Sequence, residues 1–207
     1  MKLNKYLEIL AKISCYLFHP LTIITYTVII FLNSEHYLGF MNTNLKFSIF
    51  LIFAITTLIL PALFVPVLYF FRLISSTQGE KKNDRLLPIL VILIMYFFAW
   101  YFMQRVAMPA IFLNIILSGI ISMIIAGIIT SFWKISLYTT GFGALLGFLT
   151  YFSLILNLNV LQFLVITILF TGIIGSLRLF LNKHNPAQIY CGYLLGFATV
   201  LSSMCIL

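Results

Sequence analysis

The chain consists of long, uninterrupted apolar runs separated by short polar breaks. Seven apolar segments can be drawn, each near the roughly 20 residues that cross a bilayer as a helix. They cover residues 13–33, 46–72, 87–104, 108–131, 137–157, 160–181 and 187–207. None shows the apolar–polar alternation that is typical of a membrane β-strand. The pattern therefore predicts a bundle of transmembrane helices.

The number of spans has two alternatives. The third and fourth segments are separated only by the short stretch Arg105–Pro109, so they form either two spans or one span and a re-entrant piece. We predict an all-α integral membrane protein with six or seven spans in a single transmembrane domain, residues 1–207. Pro61 and Pro66 predict a kink in the second span.

Small residues predict one close helix contact. Gly141, Gly143 and Gly147 lie two to six residues apart in the fifth segment, and small residues near helical spacing let two helix backbones approach closely.

The composition excludes a soluble domain. Hydrophobic residues make up 63% of the 207 residues and charged residues 8%, with a mean hydropathy of +1.16. Cys15, Cys191 and Cys205 lie in apolar contexts without metal-ligand spacing, so we expect no metal and no cofactor. We expect an integral protein of a bacterial inner membrane, with membrane lipids as neighbours and no nucleic-acid partner.

Three polar loops carry the candidate chemistry. They are Lys81–Pro88, Trp133–Gly141 and Arg178–Gln188, and the seven-span topology places all three on one face of the membrane. Arginine offers paired donors to phosphate oxygens, and helix N-termini add backbone N–H groups and a favourable dipole. A helix is predicted to start after each loop, so an anion could bind among the helix ends.

In order and type, the three loops resemble the three motifs of the type 2 phosphatidic acid phosphatase superfamily. Those motifs are a Lys…Arg-Pro loop, a Ser-Gly-His turn and an Arg-x5-His-x3-Asp stretch. Arg178 and His184 have the spacing of the third motif, and Ser136 fits the second. Arg85 fits the first motif, with Lys82 or its neighbour Lys81 in place of the lysine.

The resemblance implies a fold, a ligand and roles for individual residues. The fold would be the helical bundle of that superfamily, and the ligand a lipid phosphate or an isoprenoid diphosphate. His184 would be the catalytic nucleophile that attacks phosphorus. A list of the phosphate-binding residues would comprise Arg85, Ser136, Arg178 and Lys82.

Two positions depart from the motifs. Gln188 stands where the superfamily has the aspartate that orients and stabilises the histidine, and Tyr138 stands where it has the histidine that protonates the leaving group. An amide cannot stabilise a cationic imidazole as a carboxylate does. A phenol, with an ordinary pKa of about 10, is a poor general acid at neutral pH.

Three functional hypotheses follow. In the first, the protein has a degenerate site that binds a lipid phosphate, or serves as an accessory subunit of a membrane protein partner, with little or no turnover. In the second, it is an active lipid phosphate or isoprenoid diphosphate phosphatase that uses His184. In the third, it is a structural or transport membrane protein.

Overall fold

The structure, a computed structural model, describes residues 18–34, 41–74 and 83–207. These ranges contain seven helices and no strand. The helices are α1 (Thr22–Leu32), α2 (Thr43–Phe70), α3 (Asn83–Arg105), α4 (Ala110–Phe132), α5 (Leu137–Leu154), α6 (Leu161–Phe180) and α7 (Pro186–Ile206). Helices α2 to α7 are all long and apolar enough to cross a membrane. The prediction of an all-helical integral membrane protein is confirmed.

The structure also bears on the number of spans. Helices α3 and α4 have 23 residues each and are joined by a short turn in which Ala107 has a φ of 52°. Both are of spanning length, which favours two spans for this pair over one span and a re-entrant piece. Helix α1 has 11 residues and falls within the predicted first span. Residues 13–17 of that span lie outside the described ranges.

Helix α5 lies at the centre of the bundle, and its most extensive contact is with α7. Each of these two helices carries a pair of glycines four residues apart. A Cβ on Gly143 would collide with the backbone carbonyl of Tyr193, and a Cβ on Gly196 would collide with that of Thr140. The backbones therefore touch, as the sequence predicted for Gly143 and Gly147.

The third predicted glycine serves another contact. A Cβ on Gly141 would lie 3.0 Å from Cγ1 of Ile23 and 3.5 Å from Cα of Pro20. Gly141 therefore admits α1 and the turn before it, on a different side of α5 from α7.

Phenylalanines fill the core at the other end of α5. The ring of Phe31 lies 5.0 Å from that of Phe152 and 5.7 Å from that of Phe112, and Phe53 lies 5.8 Å from Phe112. All four side chains are fully buried. They join α1, α2, α4 and α5, while the outer faces of α2 and α6 present large apolar side chains suited to lipid.

Helix α2 contains a π-helical turn at Ala54–Ile59, which ends two residues before Pro61. Proline has no N–H, so the Thr57 carbonyl loses the donor that a regular α-helix would supply from four residues on. The hydroxyl of Tyr96 on α3 donates to this carbonyl at 3.0 Å, and both residues are buried. The irregularity that the prolines predicted thus takes the form of a π turn tied to the neighbouring helix.

We expect Gly196→Ala to destabilise the protein by about 1–3 kcal/mol, because the new methyl group meets backbone rather than a movable side chain. The matched control is Gly172→Ala on α6, where an added Cβ meets nothing within 4 Å. Thermal unfolding in detergent measures both changes. Equal melting temperatures for the two variants would contradict the close contact between α5 and α7.

We expect Tyr96→Phe to destabilise the protein by about 1 kcal/mol, because the Thr57 carbonyl then lies buried in the bundle without its donor. The same substitution at the exposed Tyr190 is the control and should leave the unfolding temperature unchanged. A Tyr96→Phe variant as stable as the wild type would show that the hydroxyl does not support the π turn.

Candidate functional site

The end of α6 brings two candidate residues together. Asn182 has a φ of 52°, its N–H donates to the Leu179 carbonyl at 2.9 Å, and the Lys183 N–H donates to the Arg178 carbonyl at 3.1 Å. This pair of bonds is the Schellman motif, in which a left-handed residue reverses the chain after a helix. The reversal places His184 beside Arg178, which lies on the last turn of α6.

The start of α7 fixes the third residue. Asn185 caps the helix: its Oδ1 accepts from the Gln188 N–H at 2.9 Å, and Gln188 Oε1 accepts from the Asn185 N–H at 3.2 Å. This reciprocal arrangement is a capping box, and Pro186 occupies the first helical position. The Gln188 side chain is therefore folded back towards His184.

Both ring nitrogens of His184 have a partner. Nδ1 lies 3.1 Å from Gln188 Oε1, and Nε2 lies 3.3 Å from Nη2 of Arg178. Gln188 Oε1 already accepts the Asn185 N–H, which identifies it as the amide oxygen, so Nδ1 must donate to it. Arginine only donates, so Nε2 accepts. His184 is thus the neutral tautomer with its proton on Nδ1.

The surroundings keep His184 neutral. Burial lowers its pKa from 6.5 to about 4, and the charge of Arg178 contributes in the same direction. The value of about 4 already includes the hydrogen bond to Gln188, which raises the pKa, and the charges of Lys134 and Arg85, which lower it. The stabilisation that neutral His184 gives the fold is complete above pH 6.5 and is lost as the pH falls from 6.5 to about 4.

Arg178 is held in place by aromatic contact as well. Its guanidinium carbon lies 4.5 Å from the centre of the Tyr138 ring, on the first turn of α5. Its Nε is buried and has no hydrogen-bond partner among the described residues. One donor of this guanidinium is therefore left without an acceptor among them.

The N-termini of α5 and α7 meet at the same place. The Ser136 N–H donates to the Gln188 carbonyl at 3.2 Å, and Gly192 packs against Ser136 and Thr139. The two helices run parallel, so the positive ends of both dipoles lie on the side of the bundle that holds Arg178.

The structure brings four of the residues that the sequence singled out into contact with one another. His184, Arg178, Gln188 and Tyr138 form one connected cluster, and Arg85 is close enough for its charge to act on His184.

Ser136, another predicted phosphate-binding residue, does not add a side-chain contact to this cluster. Ser136 adjoins it through its backbone, but its hydroxyl is fully buried and caps α5 by accepting the Thr139 N–H at 3.4 Å. Lys82 lies outside the described ranges.

Two residues near the cluster had no catalytic or phosphate-binding role assigned to them from the sequence. Lys134, whose charge acts on His184, precedes Ser136 in the same loop, and this adjacency was the available signal. His19 lies in the turn before α1, and its ring makes an edge-on contact with Tyr138 at 5.7 Å. Nothing local in the sequence connects His19 with the three loops.

The cluster is suited to anion binding. Its cations can donate to phosphate oxygens, and no group of three His, Cys, Asp or Glu side chains that could hold a metal ion occurs in the described part of the chain.

The chain matches no family model, and comparison with curated proteins and with solved structures finds no significant match.

We expect the Gln188→Glu variant to raise the pKa of His184 from its wild-type value of about 4. A glutamate keeps the capping box and places a negative charge beside Nδ1. Gln162→Glu adds the same charge at the other end of α6, about 24 Å away along the helix, and should leave the pKa unchanged. NMR titration of histidine-labelled protein measures both variants. A His184 pKa unaffected by Gln188→Glu would contradict the hydrogen bond to Gln188.

Proposed function

We propose that this protein binds the phosphate group of a membrane lipid at the Arg178–His184 cluster and turns it over slowly or not at all. The observation that carries the proposal is the neutral His184 held between Arg178 and Gln188, with the charges of two further cations acting on it. We further propose a distant relation to the type 2 phosphatidic acid phosphatases, which rests on the spacing of Arg178 and His184 and on the order of the three loops.

Charge and chemistry favour phosphate as the anion. Arg178, Arg85 and Lys134 all act on His184, whereas Asp84 is the one acidic residue within the described ranges. A guanidinium matches the geometry of phosphate oxygens, and two helix N-termini contribute in the same direction. The surrounding bundle is of membrane-spanning length, so a phosphate that reaches this site while attached to a lipid is the natural ligand.

Among the described residues the side-chain partner of His184 Nδ1 is an amide rather than a carboxylate, and this supports slow turnover. A histidine that attacks phosphorus becomes cationic, and the Gln188 amide cannot offset that charge. In a serine protease, the corresponding change from aspartate to amide lowers kcat about 10⁴-fold. Gln188 still holds the Nδ1–H tautomer here, so the expected loss is that of charge stabilisation alone and is smaller.

Two further features act against catalysis. The lone pair of His184 Nε2, which would attack phosphorus, accepts a hydrogen bond from Arg178 in this structure. Tyr138, where the resemblance would place a histidine, is a weak acid, and loss of a general acid typically lowers rates by about 10²–10⁴. Binding needs neither group.

One observation favours an active phosphatase as the second candidate. The tautomer of His184 leaves Nε2 unprotonated and directed at the guanidinium that would hold the phosphate. That is the arrangement a nucleophile needs once the phosphate displaces the Arg178 bond. The third hypothesis, a structural or transport protein, has no comparable support. The bacterial inner membrane and an accessory role for a membrane protein partner also stay part of the proposal.

We expect Arg178→Ala to weaken the binding of a short-chain phosphatidic acid by about 10-fold or more, because a charged donor to the phosphate is lost. The matched control is Arg105→Ala. Arg105 also stacks on a tyrosine, with its guanidinium carbon 5.0 Å from the ring of Tyr101, but it ends α3 at the terminus opposite Arg85. Titration calorimetry of the purified chain in detergent measures both affinities.

The same preparation distinguishes binding from catalysis. Release of inorganic phosphate from phosphatidic acid or undecaprenyl diphosphate, compared with His184→Ala, should show no difference if the site binds without turnover. Release that disappears in His184→Ala would establish the second candidate instead. A wild-type chain that binds no phosphate lipid would rule out both.

A further inference from the structure

The turn before α1 is fixed across α5 and α6, next to the candidate site. The ring of Phe18 lies 6.0 Å from that of Phe142 on α5 and 4.7 Å from that of Phe170 on α6. Gly141 lets Pro20 and Ile23 approach the backbone of α5. The residue between Phe18 and Pro20 is therefore held beside the first turns of α5.

That residue is His19, and its ring orientation is set by its own turn. Nδ1 of His19 accepts the Leu21 N–H at 3.3 Å, and its carbonyl accepts the Thr22 N–H at 2.9 Å and the Thr22 hydroxyl at 2.7 Å. A ring nitrogen that accepts carries no proton in the neutral form, so the proton is on Nε2. The Nε2–H points away from the turn.

His19 and Arg178 share Tyr138 as a neighbour. The His19 ring meets the Tyr138 ring edge-on, at 5.7 Å and 74°, and the guanidinium of Arg178 lies over the same ring at 4.5 Å. The charge of Arg178 also acts directly on the His19 imidazole. A histidine N–H donor from the turn before α1 thus shares a tyrosine ring with the arginine of the candidate site.

We infer that His19 is a binding residue of the phosphate site, donating its Nε2–H to an oxygen of the lipid phosphate that Arg178 holds. The inference rests on the proposed function. It adds a binding group from a segment outside the three polar loops and assigns the turn before α1 a role in holding the ligand. Tyr138 then serves as the common surface on which the two donors are placed.

Two substitutions separate the two nitrogens of His19. His19→Asn places an oxygen near the position of Nδ1, so it keeps the acceptor for the Leu21 N–H but has no donor at the Nε2 position. His19→Gln reaches the Nε2 position with an N–H but gives up the Nδ1 acceptor. Thr22→Ala is the control for the turn, because it removes a bond to the His19 carbonyl and leaves the imidazole intact.

The test is the affinity of the purified full-length chain for short-chain phosphatidic acid. We expect His19→Asn to weaken binding by about 10-fold, since a hydrogen bond to a charged group is lost, and His19→Gln and Thr22→Ala to stay within about threefold of the wild type. Inorganic phosphate is titrated in parallel. The same ranking with inorganic phosphate shows that His19 recognises the phosphate itself, and an effect on neither ligand overturns the inference.

The outcomes distinguish the inference from the function on which it rests. If His19→Asn binds as the wild type does while Arg178→Ala does not, the inference fails and the proposed function stands. If the wild type binds neither ligand, both fail. Should His19→Asn not fold, histidine-labelled NMR of the unmutated chain decides. The Nε2–H signal of His19 must shift on addition of phosphatidic acid, and a signal that does not move overturns the inference.

Discussion

The contact between α5 and α7 is the constraint on which the rest of this molecule depends. Backbone touches backbone there because Gly143 and Gly196 have no side chain to separate the helices. In a bilayer, lipid tails are as apolar as leucine, so close packing rather than hydrophobic burial holds helices together. The contact continues to the N-termini of both helices, where the Ser136 N–H meets the Gln188 carbonyl. The candidate site is built on that junction.

The geometry of the site arises from the local structures that end α6 and start α7. A left-handed Asn182 reverses the chain after α6, and a capping box between Asn185 and Gln188 opens α7. Each is a common local device with no relation to phosphate. Together they present His184 to an arginine on one side and an amide on the other, which fixes its tautomer and keeps it uncharged. A glutamine in this position meets the needs of the helix fully and those of phosphoryl transfer only in part.

The sequence predicted the helices well because their apolar runs have spanning length and the polar breaks between them are short. It also predicted the cluster around Arg178 and His184, since both residues belong to one continuous stretch governed by helix ends. It did not predict the position of His19, which depends on how the turn before α1 packs across α5 and α6. Contacts between distant segments leave no periodic signal in a single chain. The sequence suggested Ser136 for phosphate binding, but its hydroxyl is buried as a helix cap.

The segment between α6 and α7 has a consequence for how this chain can vary in length. The Schellman turn is followed directly by the capping box, so the stretch between Arg178 and Gln188 contains no linker that could change in length. Each inserted or deleted residue would rotate the start of α7 by about 100° about its axis. Gly192 and Gly196 would then face away from α5, and bulkier side chains would face it. The length of this loop therefore sets the rotational register of the last helix. Substitutions are tolerated there more readily than insertions or deletions.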